Sequence, residues 1–284
     1  MATLFISDLD GTLLQPDATL SSRALDSIND WIDRGVYFTV ATARSTYSVR
    51  RILDGVNLKL PIVTFNGGFI SDFQTGQHLR HWGLDAATSE RVVRHCLAEG
   101  FSPFVSTTAP DRDRLFIGEA RNAGMQWYID DRHTVGDPRV IREHPEAGLQ
   151  YEVMCLTLVD KQGPLRRLQQ QLQGLGEIRT HLYVNRYDPQ WWWLTVHPLR
   201  ATKADAIRTL RDDAALRMPS CERLVVFGDA ANDLEMFDLA DLAVAPENAE
   251  EIVVPASTSR CKSNAEDGVI EWIHEFLGSS NFSK

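Results

Sequence analysis

The chain predicts an α/β protein: a parallel sheet covered by helices, with a second, α+β domain inserted into it. Three observations carry that prediction. Short apolar runs alternate with helix-period segments at both ends of the chain, the rhythm of strands joined by crossover helices. The middle changes rhythm, with strands in neighbouring pairs and helices between them. The apolar runs near the ends also stop abruptly on polar residues that carry chemistry.

The first run, Thr3-Leu4-Phe5-Ile6-Ser7, reads as a buried strand. It ends on Asp8 and Asp10, one residue apart, followed by Gly11, which takes backbone angles other residues avoid. Ser21 is placed to cap a helix in which Leu25, Ile28 and Ile32 recur at helical spacing, until Gly35 stops it. Val36–Val40 is a second strand, ending at Ala41-Thr42-Ala43-Arg44. A short helix from Tyr47 to Leu53 leads to a third strand, Pro61–Phe65, which ends at Asn66-Gly67-Gly68. Ligands of parallel sheets sit outside the carboxyl ends of the strands. Asp8, Asp10, Thr42 and Asn66 should therefore share one edge.

The inserted part is expected over residues 84–197. It should hold a helix near Ser89 to Ala98, short strands around Phe104 and Phe116, and a helix near Asn122 to Asp130. Tyr151–Val159 alternates as a half-exposed strand, Pro164–Leu172 is helical, and strands follow near Leu182 and Trp192. Arg132–Gly148, with two prolines and two glycines, reads as loop. Trp191-Trp192-Trp193 invites a sugar-stacking role, but strand alternation turns Trp192 away from its neighbours and favours packing. Arg112, Arg114 and Arg132 read as solvated surface. From Lys203 the α/β rhythm returns: helix Ala204–Leu216, strand Arg223–Phe227, a helix beginning at Asn232, strand Leu242–Val244 and a closing helix Gly268–Leu277. Residues 1–83 and 198–284 should then form one core around the insertion.

Composition narrows the function. At 284 residues and 43% hydrophobic, the chain can bury a sizeable core. A net charge of −10 argues against a nucleic-acid surface, which needs clustered Lys and Arg. It leaves room for one small anionic substrate at a local cationic site. Cys96, Cys155, Cys221 and Cys261 are scattered, without a Cys-x-x-Cys pair, and read as reduced thiols. The first ten residues lack the basic start of a signal peptide. No apolar run approaches the ~20 residues of a membrane span. The expected setting is cytoplasmic, as a monomer or weak homo-oligomer.

Two adjacent buried carboxylates are costly unless a cation or a reaction uses them. The bland reading of Asp8-x-Asp10-Gly11-Thr12 is a solvated acidic turn; another is the metal site of a sugar-nucleotide transferase. In Gly228-Asp229-Ala230-Ala231-Asn232-Asp233, Asn232 or Asp233 could simply cap a helix. Asp229 at another strand end nevertheless points to a hard cation, and Mg²⁺ takes one or two carboxylates with phosphate and water. Thr42 and Lys203 alone would be a turn residue and a solvated lysine. Together with the acids they supply the hydroxyl donor and fixed cation that a phosphoryl site requires. No Gly-x-x-x-x-Gly-Lys-[Ser/Thr] loop, Gly-x-Gly-x-x-Gly or Gly-x-Ser-x-Gly elbow is present.

These residues resemble the motifs of the haloacid dehalogenase (HAD) superfamily, specifically its Cof-type, IIB-capped phosphatases. Asp8-x-Asp10-Gly11-Thr12, Thr42, Lys203 and Gly228-Asp229-x-x-Asn232-Asp233 match its four motifs, and Asn66-Gly67 and Asn264-x-x-Asp267-Gly268-Val269 are further landmarks. Ala43 stands where glycine is usual, and Ala204 follows the lysine where glycine is frequent. The resemblance implies a Rossmann-like core with a C2B-type cap, and Mg²⁺-dependent hydrolysis of small phosphomonoesters, sugar phosphates first, through an aspartyl-phosphate. It implies Asp8 as nucleophile and Asp10 as acid/base, with Thr42 and Lys203 completing the catalytic set. Substrate contacts fall on Leu9, Thr42, Ala43, Arg44, Asn66, Lys203 and Asn232. The metal falls to Asp8, the Asp10 carbonyl and Asp229, with Asn232 and Asp233 ordering its waters. A sugar phosphomutase, or a phospho-ligand sensor of low turnover, is the alternative.

Overall fold

A computed structural model describes residues 2–185 and 188–279. The chain divides into two compact units, Met1–His81 with Thr202–Lys284, and Trp82–Ala201. In chain order the first unit begins with β1 (Thr3–Ser7), α1 (Ser22–Asp33), β2 (Tyr37–Val40), α2 (Thr46–Ile52), β3 (Ile62–Thr64), β4 (Phe69–Ser71) and β5 (His78–His81). The second unit holds α3 (Ala86–Ala98), β6 (Phe104–Thr108), β7 (Arg114–Phe116), α4 (Ala123–Thr134) and β8 (Val140–Ile141). It continues through β9 (Glu152–Asp160), α5 (Gln162–Leu172), β10 (Ile178–Val184) and β11 (Trp192–Pro198). The first unit then resumes with α6 (Lys203–Asp212), β12 (Arg223–Phe227), α7 (Leu234–Phe237), β13 (Leu242–Pro246), β14 (Ser259–Cys261) and α8 (Gly268–Ser279).

The main sheet of the first unit runs β14-β13-β12-β1-β2, all parallel. β1 is buried along its whole length, because helices cover both faces of a parallel sheet. Ala24, Ile28 and Trp31 of α1, Val49 of α2, and Val269, Ile270 and Ile273 of α8 pack with Phe5, Phe38, Val40 and Val225. Each of the valine, isoleucine and phenylalanine side chains contributes about 1.5–3 kcal/mol when fully buried. Ser21 caps α1 as expected, its hydroxyl accepting from the Ala24 amide at 3.0 Å. The chain leaves β1 towards β2 on one side, and β12 towards β13 on the other. That reversal opens a crevice at the carboxyl ends of β1 and β12, where α/β proteins bind ligands.

β3 touches the parallel sheet through one bridge, Ala41 to Val63, and then continues into an antiparallel β3-β4-β5 sheet. β4, β5 and β14 were not expected. They span three or four residues each, and His78-Leu79-Arg80-His81 has no apolar alternation to announce a strand.

The second unit is a β10-β11-β9-β6-β7-β8 sheet, antiparallel except for the β7–β8 pair. Val92, Val93, Leu165 and Leu168 of α3 and α5 pack on Val105, Leu156, Leu158 and Val196. Met125 and Ile129 of α4 pack on the opposite face with Phe104, Leu115 and Val159. β9 is therefore mostly buried rather than half-exposed, because it lies inside the sheet with helices on both sides. The tryptophans pack as their alternation requires: Trp191 and Trp193 with the α4 cluster, Trp192 with the other.

The Arg132–Gly148 stretch departs from the loop expectation. α4 runs on to Thr134, β8 follows, and the Asp137 carboxylate is fully buried against Arg139 at 2.6 Å. Arg132 is likewise drawn inward, over the Tyr128 ring at 5.1 Å and paired with Asp131 and Asp137. Arg114 is buried too, bound to Asp111 at 2.5 Å and lying 4.3 Å over Tyr151. Their guanidinium groups lie over aromatic rings while carboxylates pair the charge, an outcome that a residue type alone does not announce. Arg112 is exposed, as read.

Candidate active site

The site starts where β1 runs out. The Asp8 amide still bonds the Phe227 carbonyl of β12 at 2.9 Å, so the carboxylate is delivered by the sheet ladder itself. Its Oδ1 accepts from the Leu9 amide at 2.7 Å and from the Lys203 ammonium at 3.0 Å. Asp8 is 6% exposed. Burial, reinforced by the carboxylates of Asp233, Asp229 and Asp10, outweighs Lys203 and pushes its pKa up to about 8.

Lys203 opens α6, behind the Thr202 cap, and is 1% exposed. Its ammonium lies between Asp8 and Asp233, the latter at 2.6 Å. Burial opposes that charge, but Asp233 and Asp8 together hold the ammonium above its ordinary range. Asp233 spends its other oxygen on the amides of Asp229 and Ala230, at 2.9 and 3.0 Å. It thereby shapes the turn that presents Asp229. A Cβ on Gly228 would lie 2.5 Å from the Asp233 carboxyl carbon, so this turn admits only glycine without rearrangement. Asp229, 1% exposed, accepts from the Thr12 hydroxyl at 3.0 Å.

Asp8, Asp229 and Asp233 each offer a carboxylate oxygen, all within 4.8 Å of one another. Once ionised, the three buried carboxyl groups carry more negative charge than the one ammonium can balance. Oxygen donors with uncompensated charge fit a hard divalent cation. Asp233 is already committed to Lys203 and two amides.

Asp10 stands apart from that cluster. Arg44 Nε and Nη2 grip its two carboxylate oxygens at 2.6 and 2.5 Å, a bidentate pair. The Leu9 amide is engaged by Asp8. Thr42 is buried, its hydroxyl accepting from the Arg44 amide at 3.2 Å, and Ala43 beside it is exposed. Asn66 is buried and accepts from the Asn232 side chain at 2.9 Å. The predicted residues thus gather as three linked sets: Asp8–Lys203–Asp229–Asp233, Asp10–Arg44, and Asn66–Asn232.

Beyond these, the loop after β1 depends on groups outside the expected site residues. Asn248 donates to the Gly11 carbonyl at 2.7 Å, and its oxygen accepts from the Asn264 amide at 2.9 Å. Asn264 donates to the Leu14 carbonyl at 2.7 Å, while Asp267 accepts from Gln15 and Ser21 at 2.7 and 2.8 Å. Asn264 and Asp267 had a signal in their spacing. Asn248 had none, because it acts on a main-chain carbonyl far away in sequence.

The haloacid dehalogenase-like hydrolase family matches residues 5–273. The 5-amino-6-(5-phospho-D-ribitylamino)uracil phosphatase YwtE of Bacillus subtilis is 26% identical over 95% of this chain and 96% of its own length. The HMP-PP phosphatase of Citrobacter koseri is 30% identical over 84% of this chain and 81% of its own. The crystal structure of TM0651 from Thermotoga maritima superposes with a TM-score of 0.75 at 26% identity, covering 97% of both chains. With the family matched along nearly the whole chain and the acids converging as its motifs require, this protein belongs to the haloacid dehalogenase-like hydrolases.

Proposed function

We propose that this chain is a Mg²⁺-dependent phosphatase of small phosphomonoesters. The observation that carries the reading is Asp8, buried at a strand end with Lys203 3.0 Å away and Asp229 and Asp233 within 4.8 Å. In the proposed reaction an Asp8 oxygen attacks phosphorus and the bond to the alcohol oxygen breaks. Asp10 gives a proton to that oxygen as it leaves. A water then loses a proton to Asp10 and attacks the aspartyl-phosphate, releasing inorganic phosphate and restoring the Asp8 carboxylate. Lys203 fixes the Asp8 carboxylate and offsets charge on the phosphoryl group; the Thr42 hydroxyl and the amide beside it bind phosphoryl oxygens. Arg44 orients Asp10 between its two proton transfers.

Mg²⁺ held by Asp8, Asp229 and the Asp10 carbonyl would offset repulsion between the attacking carboxylate and the phosphate. Asn232 and Asp233 would order water around it. The inserted unit is assigned as the cap that selects the leaving group. Sugar phosphates are the first class to try, and the ribitylamino-uracil phosphate named for the Bacillus relative widens that class.

Asp8→Asn should abolish turnover of p-nitrophenyl phosphate with Mg²⁺ present, by a factor of at least ~10³. Retained activity rejects Asp8 as nucleophile. Asp229→Ala should raise the Mg²⁺ concentration needed for half-maximal rate, and an unchanged requirement moves the cation elsewhere. Isomerised sugar phosphate in place of released phosphate would mark a mutase.

A further inference from the structure

Three consecutive residues after β3 take left-handed backbone angles: Phe65 at φ 51°, Asn66 at 54° and Gly67 at 100°. Glycine and asparagine tolerate this region, but a phenylalanine there is a genuine exception. Such a conformation persists only where its surroundings over-determine it. The surroundings here are the candidate site, reached in three directions at once.

The Phe65 and Asn66 amides each donate at 2.9 Å, to the carbonyls of Arg44 and Thr42, so the turn pins both ends of the Thr42–Arg44 loop. Gly67 lies flat on the cap of α6: a Cβ there would sit 2.0 Å from the Thr202 carbonyl oxygen and 2.9 Å from the Thr202 nitrogen. Thr202 immediately precedes Lys203. The Asn66 side-chain oxygen accepts from Asn232 at 2.9 Å, which ties in the turn between Asp229 and Asp233. One strained turn therefore braces the hydroxyl-bearing loop, the lysine and the acidic turn.

We propose that the Phe65–Gly67 turn is the positioning element of this site, with Asn66 acting through Asn232 rather than as a direct ligand of the substrate. The inference rests on the phosphatase reading and adds a division of labour to it. Phe65 and Asn66 set the phosphoryl-binding loop, and Gly67 sets the depth at which the lysine enters. Asn66 holds Asn232 towards the crevice. The left-handed angles are what bring two successive amides onto that loop while the next residue presses on α6.

A double-mutant cycle tests this, read as steady-state kinetics on p-nitrophenyl phosphate and as inhibition by inorganic phosphate. Asn66→Gly keeps the left-handed backbone available and removes the side chain, so the fold is spared. It should lower kcat/KM about tenfold, and Asn232→Ala by a similar factor. The double variant should fall no more than about twofold below the weaker single, because both break one link. Multiplying losses, near a hundredfold together, would overturn the link and make Asn66 an independent ligand. Gly67→Ala should weaken inhibition by inorganic phosphate at least fivefold, since displacing Thr202 withdraws Lys203; unchanged inhibition would overturn the role of Gly67. Thermal melts of each variant guard against simple unfolding, and Phe73→Leu, which lowers packing away from the turn, should leave the inhibition constant in place. Asp8→Asn runs alongside: if that variant stays active the phosphatase reading itself has failed, whereas an inactive Asp8→Asn with unaffected Asn66→Gly removes only the positioning role.

Discussion

Arg44 holds both oxygens of Asp10, and that changes what a substitution at either position does. A lysine cannot reproduce the two-pronged grip, so Arg44→Lys should behave more like a loss than a conservative change. If Asp10 protonates the leaving oxygen, the damage should depend on how much help that oxygen needs. Arg44→Ala is expected to slow hydrolysis of an alkyl phosphate such as glycerol phosphate by about 10²-fold, and of p-nitrophenyl phosphate by much less. Equal losses on the two substrates would assign Arg44 to phosphate binding alone. At this scale the sequence was generous with the acids and silent about partners. Asp8, Asp10 and Asp229 stood out by strand-end placement, whereas Lys203 was a candidate only in combination with them and through the family resemblance. That Asp10 faces Arg44 while Asp233 faces Lys203 depends on side-chain directions across different loops, which spacing does not encode.

Among the elements, the loop between β1 and α1 is held from the far end of the chain. The Asn264 side chain is the donor to the Leu14 carbonyl, inside the protein, and removing it strands a buried acceptor. Asn264→Ala should cost about 1–3 kcal/mol of stability, read as a lowered denaturation midpoint at constant m. Gly268→Ala should cost more, because its Cβ would lie 1.8 Å from the Lys262 carbonyl oxygen. Most helices were legible within a turn of their observed ends, since Ser21, Asn122 and Gly35 mark boundaries by capping and by backbone freedom, but α4 runs past Asp130 to Thr134 and α6 stops at Asp212 instead of Leu216. Two of the three-residue strands, β4 and β14, were not. β4 and β14 are too short to show a period, and their pairing is decided by neighbours. The buried Asp137–Arg139 pair was hidden for the opposite reason: its residues look like surface until a sheet closes over them.

For the molecule as a whole, the burial of Asp8 among other acids makes stability depend on pH and on divalent cations. A carboxyl pushed up to about 8 keeps its proton in the folded protein, while the unfolded chain has already released it above the ordinary value of 3.8. Folding therefore gains from this group at low pH, and the gain drains away as pH rises towards 8. With chelator present, Tm should fall between about pH 5 and 8 more steeply for wild type than for Asp8→Asn. Mg²⁺ at pH 8 should raise the wild-type Tm by about 2–8 °C, and that of Asp229→Ala by much less. A wild-type Tm indifferent to Mg²⁺ would place no cation among these acids. The division into an α/β unit interrupted by an α+β one could be read from rhythm alone, because crossover helices and paired strands leave different periods.

The pairing of β1 with β12 also has a consequence in time. Thr3 meets Arg223 and Ser7 meets Phe227, so the strand that ends in Asp8 has no neighbour on that side until the second unit has already been made. During synthesis Asp8 emerges ahead of Lys203 and Asp229, with the whole second unit between them. A nascent chain halted within the second unit carries an apolar strand with an open edge, a natural client for a chaperone, and no assembled centre. The cluster forms only once the segment from Lys203 onwards pairs in beside β1.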